Sequence, residues 1–171
     1  QTITVQDTTP PAFISVPEDA VVECSDALPY AEPSTNDLCG TVDLTYSDQV
    51  IPGNAAGNYT VIRTFTATDD ANNSSSATQT FNVVDTTAPE FTFVPADYTV
   101  ECADDMPMND ATATDNCGEV TVTLSSETIA GDATGNYTIT RTFTATDDAG
   151  NSASAIQTIS VQDTTAPALA V

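Results

Sequence analysis

The chain has 171 residues, with 2 Lys plus Arg against 25 Asp plus Glu, no His, and a formal net charge of -23. That balance is hostile to nucleic acid and to anionic membrane surfaces, so the natural counterions are metal cations. Hydrophobic content of 40%, with abundant Thr and Val, argues for a folded chain in spite of the charge, and there is no charged-then-apolar leader and no run of about 18 apolar residues to cross a membrane.

The words DTTPPAF at Asp7, DTTAPEF at Asp85 and DTTAPAL at Asp163 recur with a spacing of 78 residues, which makes the chain a tandem array. The register holds without insertion: Cys24 maps to Cys102, Cys39 to Cys117, Tyr59 to Tyr137, Arg63 to Arg141 and Asp69 to Asp147. Residues 1–6 (QTITVQ) match the tail of a repeat, as in QTISVQ at 157–162. The expected organisation is therefore the C-terminal strand of a preceding repeat at 1–6, full repeats at 7–84 and 85–162, and the start of another at 163–171. This reads as a window on a longer filament, with secretion and anchoring signals outside it. Each repeat is too small to bury a large core and needs a covalent or metal staple.

In chain order, residues 13–16 read as a first strand that Pro17 breaks, and residues 20–24 resume extended structure with alternating burial, as do 98–102. Residues 25–40, rich in Asp, Pro, Ser and Asn, read as a long loop. Residues 41–46 and 119–124 alternate as strands, followed by a turn region around Gly53 and Gly57, or Gly131 and Gly135, with room for one short strand at most. The clearest strands are 59–68 and 137–146. There Tyr137, Ile139, Arg141, Phe143 and Ala145 share an inward face and threonines share the other. An acidic turn, Asp-Asp-Ala-Asn-Asn or Asp-Asp-Ala-Gly-Asn, leads to a last strand at 77–84 or 155–161. No helical period appears. The expected fold is all-β, with antiparallel β-sandwiches strung end to end.

The four cysteines form two pairs of equal spacing, and the repetition favours pairing within each repeat, Cys24–Cys39 and Cys102–Cys117. Such cross-links would contribute roughly 3 kcal/mol each and imply an oxidising, extracytoplasmic address. Zinc fits poorly, because there is no His and the spacing is not CxxC.

If the strands alternate in direction, three segments meet where the chain enters a domain. These are the loop with Asp37 or Asp115, the acidic turn with Asp69 and Asp70 or Asp147 and Asp148, and the linker aspartate Asp7 or Asp85. Asn72, Asn151 and, for a next repeat, Asp163 complete the set. Such an oxygen-rich group suits Ca²⁺ with its 6–8 ligands better than Mg²⁺. Turn chemistry alone also accounts for Asp, Gly and Asn in these positions. The shortage of basic partners favours the metal, since clustered acids repel one another without one. Arg63 and Arg141, the only basic side chains, lie on the inward face and must be paired there, with an acid the sequence does not identify.

At DTTAP, VEC, TDNCG and RTFTATDDAGN the sequence resembles the HYR-like (hyalin-repeat) branch of immunoglobulin-like domains in long bacterial surface proteins, especially Bacteroidota adhesins and gliding or type IX-secreted proteins. The resemblance covers essentially the whole chain. It implies sandwiches of about seven strands, cell-surface export, and calcium at the junctions between domains. The repeats depart from each other at Asn72, where the second has Gly150, and at Leu38, where it has Asn116, which implies a weaker site in the first. The Asp-Thr-Thr words also resemble an O-glycosylation acceptor, which would place sugar on Thr8, Thr86 or Thr164.

The expected role is a structural segment of a secreted, cell-surface adhesin, stalk or filament, with calcium-stiffened junctions presenting a distal head. Its partners would be neighbouring repeats, with lateral self-association or cell-surface glycans and proteins reached elsewhere. The alternative is a module that binds a glycan or protein directly, whose sign would be loop aromatics; only Tyr30, with Met108 as its twin, qualifies. An enzyme is not expected, because the same acids stand in both copies and His and Lys are absent.

Overall fold

The most strongly alternating stretch of each repeat becomes an inner strand of a four-stranded sheet. The structure, a computed structural model, describes residues 1–102 and 104–166. The chain divides after Asp85 into two compact units. Unit 1 contains β1 (Ala12–Ser15), β2 (Ala20–Glu23), β3 (Ser34–Asn36), β4 (Val42–Pro52), β5 (Tyr59–Asp69) and β6 (Ser74–Val84). Unit 2 repeats them as β7 (Glu90–Phe93), β8 (Tyr98–Glu101), β9 (Thr112–Thr114), β10 (Val120–Ala130), β11 (Tyr137–Asp147) and β12 (Ser152–Gln162). Among the described residues there is no helix.

In each unit a two-stranded sheet, β1-β3 or β7-β9, accompanies a four-stranded one ordered β2-β6-β5-β4 or β8-β12-β11-β10. Every pairing is antiparallel except β2 with β6 and β8 with β12, which are parallel. Pro17 lies between β1 and β2 and Pro95 between β7 and β8. Each proline interrupts hydrogen bonding, so the chain leaves the small sheet and joins the large one. Each unit is thus an all-β sandwich with six strands among the described residues, one fewer than the resemblance implied.

The inward faces form the core. Val61, Phe65 and Ala67 of β5 are buried with Phe81 and Val83 of β6 and Val22 of β2; Phe143, Ala145, Ile159 and Val161 do the same in unit 2. The alternation that marks β5 is that of a strand with one wet face.

Several boundaries differ from those the pattern suggests. Strand β4 runs on to Pro52, in unbroken register from Val42 opposite Asp69 to Pro52 opposite Tyr59. Its second half is solvent-exposed on both faces, so it carries no burial alternation and is held by its ladder to β5. For the same reason β6 starts at Ser74: its polar beginning pairs with Thr68 and needs no apolar residue to do so. Strand β3 lies inside the stretch read as a loop; its three residues pair with β1 and are too few to show a period. Residues 1–6 form no strand and are exposed, whereas the matching residues 157–162 are held between β11 and β8.

The two arginines solve one problem in two ways. Arg63 Nε and Nη2 each donate to the Asp48 carboxylate at 2.8 Å, and Nη1 donates to the Pro29 carbonyl at 3.3 Å. Its guanidinium lies 4.6 Å from the Tyr46 ring centroid and 5.1 Å from that of Phe81. In unit 2 the twin of Asp48 is Ser126. Arg141 therefore turns the other way, donating through Nη1 to the Asn109 carbonyl at 2.7 Å and Gln157 Oε1 at 2.9 Å, and through Nη2 to Asp110 at 3.0 Å. The cost falls on unit 1, where Gln79 Oε1, the twin of that acceptor, is buried without a hydrogen-bond partner.

Asp48→Ala should consequently let Arg63 turn to Gln79 Oε1, as Arg141 does to Gln157. Losing the charge-assisted pair is worth about 1.5–3 kcal/mol, and the rearrangement should hold the loss to the lower end in a denaturant titration. The hydrogen bond from Arg63, opposed by desolvation and reinforced by its charge, holds the Asp48 carboxyl below its ordinary value of 3.8. A lowered folded pKa adds stability that is complete above the ordinary carboxylate range and fades as pH falls through the folded value. Asp48→Asn should therefore flatten the acid limb of the unit 1 stability profile.

Candidate metal centre

The acidic turn is built by its first carboxylate. Asp69 Oδ1 accepts the N–H groups of Ala71 at 2.9 Å and Asn73 at 2.8 Å, and Oδ2 accepts the Asn73 side-chain amide at 2.8 Å. Asp147 does the same, with Gly150 and Asn151 donating to Oδ1 at 2.7 and 2.9 Å and the Asn151 amide donating to Oδ2 at 2.9 Å. Burial works against ionisation of Asp69 and Asp147, but the asparagine side chain and the turn N–H groups outweigh it, so both pKa values are lowered. Both side chains stay ionised near neutral pH.

The turn needs one residue in the left-handed region, and the repeats fill it differently: Asn72 at φ 69° and Gly150 at φ 96°. An added Cβ at Gly150 would meet nothing within 4 Å, so backbone strain alone decides the substitution. Gly150→Asn should be close to neutral and Gly150→Ala should cost about 1 kcal/mol in thermal melts.

In unit 1 the expected convergence is present. Carboxylate oxygens of Asp7 from the linker, Asp37 from the loop after β3, and Asp69 from the turn after β5 lie within 4.8 Å of one another. Each has acceptor capacity to spare. Asp7 Oδ1 takes the Thr9 N–H at 3.0 Å and Asp37 Oδ2 takes the Cys39 N–H at 2.7 Å, and a carboxylate has about four lone-pair sites. The Asn73 amide also reaches the Asp7 carbonyl at 3.4 Å, fastening the linker to the turn.

In unit 2, Asp115 and Asp147 bring oxygens within the same 4.8 Å. Asp115 Oδ1 accepts the Cys117 N–H at 2.8 Å, while Oδ2 is buried with no hydrogen-bond partner. A buried carboxylate oxygen without a partner is costly unless a cation meets it. The residues present therefore fit a hard cation such as Ca²⁺ in donor type, and Asp7, Asp37 and Asp69 are those that would hold it in unit 1.

Other expected ligands also make contacts within their own units. Asp70 is taken up by Thr41, whose N–H donates at 3.1 Å and hydroxyl at 3.0 Å; in unit 2 Glu119 replaces that threonine, and Asp148 is exposed. Asn72 shapes the turn backbone, and its neighbour Asn73 is the true twin of Asn151. Asp85 and Asp163 are anchored at the exit ends of units 1 and 2, where their N–H groups donate to Asn58 Oδ1 and Asn136 Oδ1, each at 2.8 Å. Asp163 there joins Glu101 and Cys102 within 4.8 Å, and Thr164 donates its N–H to Glu101 Oε2 at 3.0 Å. Thr164 also donates its hydroxyl to Glu101, while Thr8 is exposed. The identity of Glu23 with Glu101 and of Asn58 with Asn136 was the available signal for these exit-end anchors.

The expected disulfides are not formed. Cys39 and Cys102 are free thiols, so neither Cys24–Cys39 nor Cys102–Cys117 is closed. Equal spacing could not reveal this, because it shows that the cysteines recur and not which sulfurs are bonded. Cys102 is a poor nucleophile: desolvation of its sulfur, then the carboxylates of Asp163 and Glu101, push its pKa up.

Residues 92–161 match the model of the HYR-like domain with 4 cysteines. Hyalin of Strongylocentrotus purpuratus is 38% identical over 184 aligned residues, which cover 96% of this chain and 15% of hyalin. Among solved structures, Drosophila N-cadherin EC1-4 aligns with a TM-score of 0.42 and 15% identity over 91% of this chain and 50% of that one. Human protocadherin-24 EC1-2 aligns with a TM-score of 0.41 and 13% identity over 92% of this chain and 100% of that one.

Proposed function

We propose that this chain is a spacer segment of an extracellular adhesion protein, in which Ca²⁺ held by linker, loop and turn carboxylates stiffens the junctions between successive sandwiches. The observation that carries the proposal is the meeting of Asp7, Asp37 and Asp69 within 4.8 Å. Neither arginine offsets them, since Arg63 and Arg141 are engaged with Asp48 and Asp110. A linker aspartate shared with the entry end of a sandwich fixes the linker when a cation bridges them. Without the cation, like charges push it away.

The matched HYR-like model and the identity with hyalin support an adhesion-type repeat. The bacterial surface, the filament and the distal head belong to the proposal and rest on the motif resemblance. In this reading the segment does no catalysis, binds no nucleic acid and inserts in no membrane; it sets distance. Small-angle scattering of the chain in chelator and then in excess Ca²⁺ tests it. The maximum dimension should become sharply defined and longer with calcium; identical profiles would contradict the proposal.

A further inference from the structure

In unit 1 the inner-face row of β4 lies open to solvent. Tyr46, Asp48 and Val50 follow one another at every second residue, opposite the buried Phe65, Arg63 and Val61 of β5, yet all three are exposed. Tyr30, from the loop between β2 and β3, lies beside this row, its ring centroid 5.5 Å from that of Tyr46 and its plane tilted by 41°. Arg63 holds both rings in place. Its guanidinium lies 4.6 Å from the Tyr46 centroid and 5.9 Å from that of Tyr30, and Nη1 donates to the carbonyl of Pro29, the residue before Tyr30. The rest of the guanidinium is engaged by Asp48, whose side chain is still 30% exposed. The result is a pre-organised cluster of two aromatic rings and a carboxylate, with Tyr30 57% and Tyr46 52% exposed.

Unit 2 shows that the fold does not require this cluster. The twins of Tyr30, Tyr46 and Asp48 are Met108, Leu124 and Ser126, and Arg141 turns instead to Asn109, Asp110 and Gln157, yet β10 and β11 pair in the register of β4 and β5. We propose that Tyr30, Tyr46 and Asp48 form a binding site of unit 1 for a neutral carbohydrate. The C–H groups on one face of a sugar ring carry slight positive charge and pack on the negative face of an aromatic ring. The sugar hydroxyls around that face can donate to the Asp48 carboxylate, which keeps lone pairs beyond its two bonds from Arg63, and can exchange hydrogen bonds with the tyrosine hydroxyls. Charge selects the class of ligand. An acidic saccharide would meet a chain of net charge -23 whose two arginines are both engaged. A cation would meet the Arg63 guanidinium already placed over the same rings. A neutral sugar meets neither obstacle. A protein partner needs about 800 Å² a side, far more than two tyrosines and a valine provide. The site lies within one unit and does not depend on calcium.

Affinity electrophoresis of the 171-residue chain in chelator tests the site apart from any calcium effect. The gels contain laminarin, galactomannan or amylopectin as neutral probes and polygalacturonate as the acidic one. At least one neutral polysaccharide should retard the chain, and polygalacturonate should not. Tyr30→Met and Tyr46→Leu, which supply side chains that unit 2 already folds with, should each weaken the interaction about tenfold. Tyr46→Phe keeps the ring and should keep most of the binding. Conversely, Met108→Tyr, Leu124→Tyr and Ser126→Asp together should build a second site in unit 2. Calorimetry with an oligosaccharide cut from the retarding polysaccharide should then read twice the stoichiometry of the parent chain. Retardation that survives Tyr30→Met and Tyr46→Leu combined, or retardation by polygalacturonate instead of the neutral probes, would overturn the proposal. So would no retardation by any neutral probe, which would leave the tyrosines as a protein-facing or purely structural cluster.

Discussion

Phe65→Ala should unfold unit 1 at temperatures where the parent chain is still native. Phe65 is fully buried at the centre of β5, with its ring 6.4 Å from that of Tyr46 on β4. Truncating a buried Phe to Ala costs about 3–5 kcal/mol, against a total of roughly 5–15 kcal/mol for a whole domain. Each kcal/mol lowers the melting temperature of a domain this size by about 4–8 °C. Hydrogen exchange should show the amides of β4, β5 and β6 losing protection together. Ile14→Ala, at a side chain 69% exposed, is the control and should change stability by less than about 0.5 kcal/mol. Equal effects from the two substitutions would mean that the core does not lie on the inner face of β5.

Asp37→Asn and Asp69→Asn should each abolish most of the calcium response of unit 1 while leaving its fold in place. Asparagine keeps the oxygen that accepts the Cys39 N–H, or the Ala71 and Asn73 N–H groups, and removes the charge, at residue 69 with loss of the one bond from the Asn73 side-chain amide. Loss of a ligating carboxylate should weaken calcium by at least the roughly 10–100-fold typical of outer-shell partners. Calcium at a hundred times its dissociation constant raises stability by about 2.7 kcal/mol, so its loss is visible as a melting shift that calcium no longer produces. Asp70→Asn is the contrast, because its carboxylate is engaged by Thr41; the calcium response should survive it. A response lost with Asp70 and kept with Asp69 would move the site elsewhere.

The repeat, the inward face of β5 and the entry-end aspartates were legible in the sequence because each leaves a local or periodic trace. Val61, Arg63, Phe65 and Ala67 alternate with Thr60, Ile62, Thr64, Thr66 and Thr68, and burial follows that alternation residue by residue. The convergence of Asp7, Asp37 and Asp69 followed from strand direction alone. Features fixed by pairing rather than burial were not legible. The second half of β4 is held by hydrogen bonds to β5, and β3 has three residues. The acid partners of the arginines differ because Ser126 replaces Asp48, a change that looks neutral until the register places residue 48 opposite Arg63. The cysteines were misassigned because equal spacing in each repeat does not show which sulfurs are bonded. Asn72 and Asn73 were confused because a glycine-like turn position and a hydrogen-bonding position carry the same residue type side by side.

The most direct measurement is a calorimetric Ca²⁺ titration of the 171-residue chain after exhaustive chelation, with melting followed at each addition. Saturable uptake with a rising melting temperature, diminished in Asp37→Asn and Asp69→Asn and retained in Asp70→Asn, is the predicted result. No heat of binding, together with the same melting curve in chelator and in millimolar calcium, would contradict the account and leave the carboxylates as turn-forming groups alone.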